Sequence, residues 1–578
     1  MKLSRLFKEI WFIILVFVII LLIAVGFFIQ HQYKKLISGE DIRLLKFVAA
    51  HINTLLASQH VERYDLRMLL DPRQAQLKMT SEVAVHAPDE DRRWLFFLFN
   101  EGLKINAIRQ GDRGANFWRV WLLTIIRLPT SIQQGTSAVV TFEYEGRPKP
   151  TGISISPSYI TPEECLLTVD EFWYPSTLQG FFELEFELTL PVEHEVVFAG
   201  DLISKSIRDS LKTLRCNYSR PINGISLLTG HFKLHERCDS GITYRVALAD
   251  GIALDAGQIL DDMIETNNLF SECYGSSAHA VFALAVSRRM RRGFHEGSGF
   301  IGLSERYFGN RKNEFGLIAH EMAHNWWGGT VTARWLADDH SAGEWLLEGF
   351  AEFSSLYAMK RHYGDAAVTG KLKGWRFDPH QAPMPLEQFT VIENLFAEPA
   401  HLANIYNKGA YVTYMLFNSL GEQKFFEVCK NFIAQQRYQT ATDEQFQKIA
   451  ETVAAESLDW FFAQWLRSIR YLDLGIENPV RMPEDGENGI RFTLVNKGDL
   501  QMPLACDIIT ISNGDTVTHS LRFSGTAQSI HLRSREPIQK IIIDPELKWA
   551  DMFRDNNRFE FVSSSAASIQ KSDRIGIK

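Results

Sequence analysis

Residues 10–29 read "IWFIILVFVIILLIAVGFFI". Twenty apolar residues without a charge do not sit on the surface of a domain in water, and as a helix they are long enough to cross a bilayer. The rest of the chain must then fold largely on one side of that segment. Lys2, Arg5 and Lys8 precede the run, and Lys34 and Lys35 follow it. The small excess in front places residues 1–9 as a cytoplasmic tail and the remainder in the periplasm or outside the cell. Ala24-Val25-Gly26 resembles a cleavage site, so a removed signal peptide is the rival reading. The run continues through Phe27, Phe28 and Ile29, which favours an uncleaved anchor.

Behind the anchor, Ile42, Leu45, Val48, Ile52 and Leu55 recur at helical spacing, so residues 30–61 read as an amphipathic stalk helix. Residues 62–235 break into short alternating runs such as "AVVTFEYEG" at 138–146 and "FFELEFELTLP" at 181–191, the pattern of an all-β domain. From 236 to 468 the periodicity is mainly helical, and from 469 to 555 short strands return around turns such as "NGD", as in a small β-sandwich. The polar end, 556–578, reads as a disordered tail. The 578 residues are too many for a single core. A net charge of -8 and the absence of a basic run argue against nucleic acid as a partner. The six cysteines show no metal-ligand spacing; Cys216 and Cys238 could pair, but buried free thiols are the expectation.

"HEMAHNWW" at 320–327 puts His320 and His324 four residues apart, on one face of a helix, where both rings can meet one ion. Glu321 sits beside them as a base for water without being a ligand itself. Two satisfied core histidines would explain the same spacing. A catalytic zinc needs a third protein ligand, and Asp338, Asp339, Glu344 and Glu348 all follow closely. "SAGE" at 341–344 has the S-x-x-E form of a capping box, which accounts for Glu344. Glu348 lies one turn further along the same face.

"HEMAHNWWGGTVT" followed by "WLLEGFAEF" resembles the aminopeptidase N family of gluzincin zinc metallopeptidases, which includes the leukotriene-hydrolase-type enzymes. The resemblance implies one zinc held by His320, His324 and Glu348, with Glu321 as general base, in a thermolysin-like catalytic domain. Twenty-three residues separate His324 from Glu348, five more than the family's usual spacing; the loop "LADDHSAG" absorbs them. "YNKGAYVTYML" at 406–416 resembles the family's Y-x-K-G-A segment, which implies that Tyr406 donates to the developing oxyanion. "GFHEG" at 293–297 resembles the exopeptidase motif G-x-M-E-N. Gly293 and Glu296 are kept, and the match implies that Glu296 binds a substrate's free α-amine. His295 and Gly297 replace the motif's methionine and asparagine. "YDLRMLLDP" at 64–72 and "WYPS" at 173–176 resemble the family's N-terminal β domain, whereas its large helical C-terminal domain has no room here.

The chain is therefore expected to be a membrane-anchored zinc aminopeptidase acting on peptides, built as an anchor helix, an all-β domain, a mainly helical zinc domain and a β-sandwich. Cleavage of internal peptide bonds or of a non-peptide on the same fold remains open through His295 and Gly297. A non-catalytic scaffold is the reading from another class; such a protein has no use for Glu321 beside a complete ligand set. The oligomeric state is not fixed by these features.

Overall fold

The computed structural model describes residues 54–561 apart from 57, 152–153, 155, 178–179, 278, 292, 297–298, 334–342, 379, 382–384, 389–401, 485–486 and 501–503. The expected span at 10–29, most of the expected stalk and residues 562–578 fall outside the described residues. Among the described residues, no helix is long and apolar enough to cross a membrane. Two compact units emerge. One holds the described residues up to Gly343 together with Cys429–Asp443, and the other holds the rest from Glu344 on.

The first unit opens with the strand His60–Asp71, which begins inside the stretch read as stalk helix. It pairs antiparallel with Gln76–His86 and parallel with Glu183–Pro191 at the centre of an eight-stranded sheet. A register shift between Val61 and Arg63 lets Val61 and Tyr64 both face inward although they are three residues apart. From there the alternation is regular, with Leu66, Met68 and Leu70 buried. Tyr64 donates to the Pro175 carbonyl at 2.6 Å, which satisfies its buried hydroxyl. A three-stranded sheet of Arg92–Leu98, Leu123–Ile132 and Asn116–Val120 sends Leu95, Phe97, Ile126 and Leu128 into the same core.

A five-stranded sheet follows, in a region whose sequence reads as mainly helical. Its order is Phe232–Asp239, Ile242–Ala249, Val281–Ser287, Phe300–Ser304 and Phe294–Glu296. Helix α1 (Ala256–Tyr274) crosses over between the second and third strands, which are parallel. Val281–Ser287 is buried at every position, so it lacks the alternation by which half-buried strands are recognised. The edge strand Phe294–Glu296 runs antiparallel to Phe300–Gly302. Helix α2 (Arg311–Ala323) comes next. Ser287 of this sheet donates to the buried Glu164 carboxylate at 2.7 Å, which joins it to the β domain before it.

The second unit carries α3 (Trp345–Tyr363), α4 (Asp365–Gly374), α5 (Gly409–Leu420), most of α7 (Asp443–Ala454) and α8 (Asp459–Trp465); α6 (Glu422–Gln435) begins here and ends in the first unit. Two antiparallel sheets of three and four strands close it, built from strands between Leu474 and Glu560. The last strand, Arg558–Glu560, lies in the stretch read as disordered tail; it pairs with Lys540–Ile542, so the sheet ends later than its sequence pattern suggests. All six cysteines are free, five of them buried and Cys238 exposed.

Candidate metal centre

Helix α2 starts at an asparagine cap: the Asn310 side chain accepts from the Asn313 N–H at 3.2 Å. Phe315, Ile318, Ala319 and Met322 supply its buried face. This packing fixes the last turn, where His320, Glu321 and His324 are all buried. The histidine rings stand nearly perpendicular, and their Nε2 atoms face each other at 3.2 Å.

The chain just past α2 sets the tautomer of His324. Its Nδ1 lies 3.0 Å from the Trp327 carbonyl. A carbonyl only accepts, so Nδ1 carries the proton and Nε2 keeps its lone pair. The carbonyl is itself held in place. The Trp327 ring stacks on Phe432 and meets the edge of Tyr274, and the Trp326 indole donates to Gly275 O at 2.9 Å. Gly329 N–H donates to His324 O at 2.8 Å, and the Asn223 amide donates to Gly328 O at 2.8 Å. Gly328 has φ +134°, a conformation that glycine adopts without strain.

A further carboxylate, that of Glu348, comes from α3. Glu344 occupies the N-cap position and makes no side-chain capping bond. The capping box read from 341–344 would have made Glu344 the third helical residue, so the helix begins later than that box requires. Glu344 instead offers its carbonyl to the Leu347 and Glu348 N–H groups at 3.0 Å each. His320, His324 and Glu348 form the one group of three potential metal ligands found among the described residues, with ligand atoms all within 4.8 Å of one another. Two imidazole nitrogens bound to zinc at about 2.0–2.1 Å and tetrahedral angles stand about 3.3 Å apart, so the 3.2 Å separation fits that ion.

Two glycines bring α3 against the segment that precedes α5. A Cβ on Gly349 would lie 2.6 Å from the carbonyl carbon of Gly409, so the backbones touch where Glu348 leaves its helix. Asn404–Lys408, just before Gly409, is a π-helical turn, and Tyr406 is at its centre, half-buried. Wide turns of this kind recur at functional sites because they redirect a side chain that a regular helix would misplace. Lys408 is buried in the same turn, and burial lowers its ammonium pKa to about 8. Sequence reading singled out neither this turn nor the Trp327 carbonyl.

Gly293 lies against the Glu321 carboxylate. A Cβ there would be 3.2 Å from Glu321 Oε1 and 3.0 Å from Leu303 Cδ2. The strand that begins at the next residue ends on Glu296, whose side chain lies outside the described residues, as do Asp338 and Asp339.

Two histidines of one helix, a glutamate from the next helix and a carboxylate beside them make a donor set that suits one zinc ion. Residues 304–465 match the Peptidase family M1 domain. Aminopeptidase M1-D of Oryza sativa subsp. japonica is 23% identical over 359 residues, 58% of this chain and 39% of the relative. Endoplasmic reticulum aminopeptidase 2 of Homo sapiens is 31% identical over 137 residues, 22% of this chain and 13% of its own length. The chain thus spans well under half the length of these curated relatives. The M1 zinc metallopeptidase of Deinococcus radiodurans shares the fold, with a TM-score of 0.58 at 17% identity over 71% of this chain and 94% of its own.

Proposed function

We propose that the chain is a membrane-anchored zinc aminopeptidase that removes N-terminal residues from peptides. The grouping of His320, His324 and Glu348 beside Glu321 is the observation that carries this reading. A zinc ion in that group supplies Lewis acidity to water and to the scissile carbonyl. Glu321, on the same helical turn, takes the proton from the attacking water and passes it to the leaving amine. Tyr406 donates its phenolic hydrogen to the oxyanion as it develops. Burial of Glu321 and both histidines keeps competing water away, which strengthens each of these interactions.

The position of Gly293 supports the exopeptidase part. Gly293, which lies against Glu321, immediately precedes the strand that ends on Glu296, the residue assigned to the α-ammonium. Acetylating the amine removes the cation that would pair with the Glu296 carboxylate, a loss of roughly 2–5 kcal/mol. Free aminoacyl amides should therefore exceed their N-acetylated forms by at least ~30-fold in kcat/KM, and Glu296→Ala should erase most of the difference. Equal turnover of both would make the protein an endopeptidase or another hydrolase on this fold.

The apolar run at 10–29 supports anchoring, with the catalytic region in the periplasm or outside the cell. Retention in the membrane fraction after high-salt washing tests it; soluble mature protein beginning near Phe27 would contradict it.

A further inference from the structure

The three-stranded sheet of the first β domain has a second face, turned away from the main core. Cross-strand register sets Trp94 beside Arg127, Phe96 beside Ile125, and Ile125 beside Trp118. Phe96, Leu98 and Leu123 form a separate cluster on this face with Leu56, and Leu55, Trp94, Val120 and Ile125 pack against it half-buried. Asn116, in register with Arg127, is exposed at the end of this face, and tryptophan rings reach the surface as well. Trp118 is 50% exposed and Trp121 is 37% exposed. The Trp94 and Trp118 rings lie 5.7 Å apart, and the Arg127 guanidinium sits 5.8 Å over Trp94.

The chain's own path says what this face meets. The Gln59 side-chain amide donates to Phe96 O at 2.6 Å and its oxygen accepts from Phe96 N–H at 2.9 Å. It thereby pairs with the outer edge of the Arg92–Leu98 strand as a further strand would, beside the Leu98–Ser176 bridge on that edge. Leu56, three residues earlier, is wholly buried in the cluster. The first described residues, to which the segment after the apolar run leads, are therefore fastened to the tryptophan-bearing face. Indole rings with a polar edge partition into the headgroup layer of a bilayer, and a neighbouring guanidinium is drawn to anionic headgroups.

We propose that the face bearing Trp94, Trp118, Trp121 and Arg127 docks into the headgroup layer of the bilayer that holds residues 10–29. The first β domain then rests on the membrane instead of swinging on a free tether. This rests on the anchored reading above.

The full chain in phosphatidylcholine vesicles with about one fifth phosphatidylglycerol tests the proposal. All variants carry W11F, which removes the tryptophan of the apolar run itself. Vesicles containing lipid brominated near the headgroup end of its acyl chains should quench the tryptophan emission of W11F. W11F/W118F/W121F should still float with the vesicles but lose at least about half of that quenching. Flotation of both proteins with equal quenching overturns the docking surface and leaves the anchor standing. Failure of W11F to float overturns the anchor and, with it, the docking.

Discussion

Gly349 and Gly409 touch. A Cβ on Gly349 would stand 2.6 Å from the carbonyl carbon of Gly409 and 3.0 Å from its oxygen. Each glycine neighbours a residue assigned to the site: Glu348 immediately precedes one, and the turn bearing Tyr406 immediately precedes the other. One backbone crossing thus fixes the residues proposed as metal ligand and oxyanion donor together.

In an exposed helix, Gly→Ala is stabilising by about 1 kcal/mol. Gly349→Ala should show the opposite sign, with a net loss of about 2 kcal/mol, because the added methyl meets backbone that has no rotamer to yield. Gly409→Ala should cost less, since its Cβ would meet Gly349 Cα and Trp345 Cβ at 3.2 Å. Thermal melts of the two variants check the order; a stabilised Gly349→Ala would contradict the crossing.

Tyr406→Phe removes a donor without changing the packing of the ring. Turnover of a free aminoacyl amide should fall about 100-fold with the zinc content unchanged. Undiminished turnover in this variant would remove Tyr406 from the mechanism.

Glu344→Ala separates the two glutamates of α3. Glu344 is buried but makes no capping bond, so zinc should stay bound in this variant. Metal analysis after dialysis checks it, and loss of zinc would show Glu344 to be part of the ligand set.

Several elements were legible from their periodicity. The alternation at 138–146 marks the strand Ser137–Gly146, and the "WLLEGF" periodicity marks α3. The five-stranded sheet was not, since Val281–Ser287 is buried on both faces and an unbroken apolar run does not distinguish strand from helix. The site shows the same division. The histidine and glutamate spacing is written in the chain, because ligands on helices repeat with the helical turn. The Trp327 carbonyl that orients His324 and the Gly349–Gly409 contact are not, because each depends on backbone positions set by packing. The late start of α3 likewise escaped a capping-box match that is purely local.

Asp544 gives the second unit a pH-dependent stability. Burial raises its carboxyl pKa from 3.8 to about 6, and Arg554 with the Trp549 and Lys548 N–H groups only partly offsets that. The folded state then holds the proton more tightly than the unfolded chain. Stability is fully present below about pH 4 and is lost as pH rises through about 6, a change on the order of 3 kcal/mol for this group. Asp544→Asn should flatten that part of the pH profile of the melting temperature. An unchanged slope between pH 4 and 6 would contradict it.

The account stands most directly on metal content measured together with turnover, in the wild type, Glu348→Ala and Glu321→Gln. Wild-type protein should carry about one zinc per chain and hydrolyse a free aminoacyl amide until a chelator is added. Glu348→Ala should lose the metal, while Glu321→Gln should keep it and turn over at least ~100-fold more slowly. Zinc retained in Glu348→Ala, or full activity in Glu321→Gln, would contradict the assignment of ligand and base.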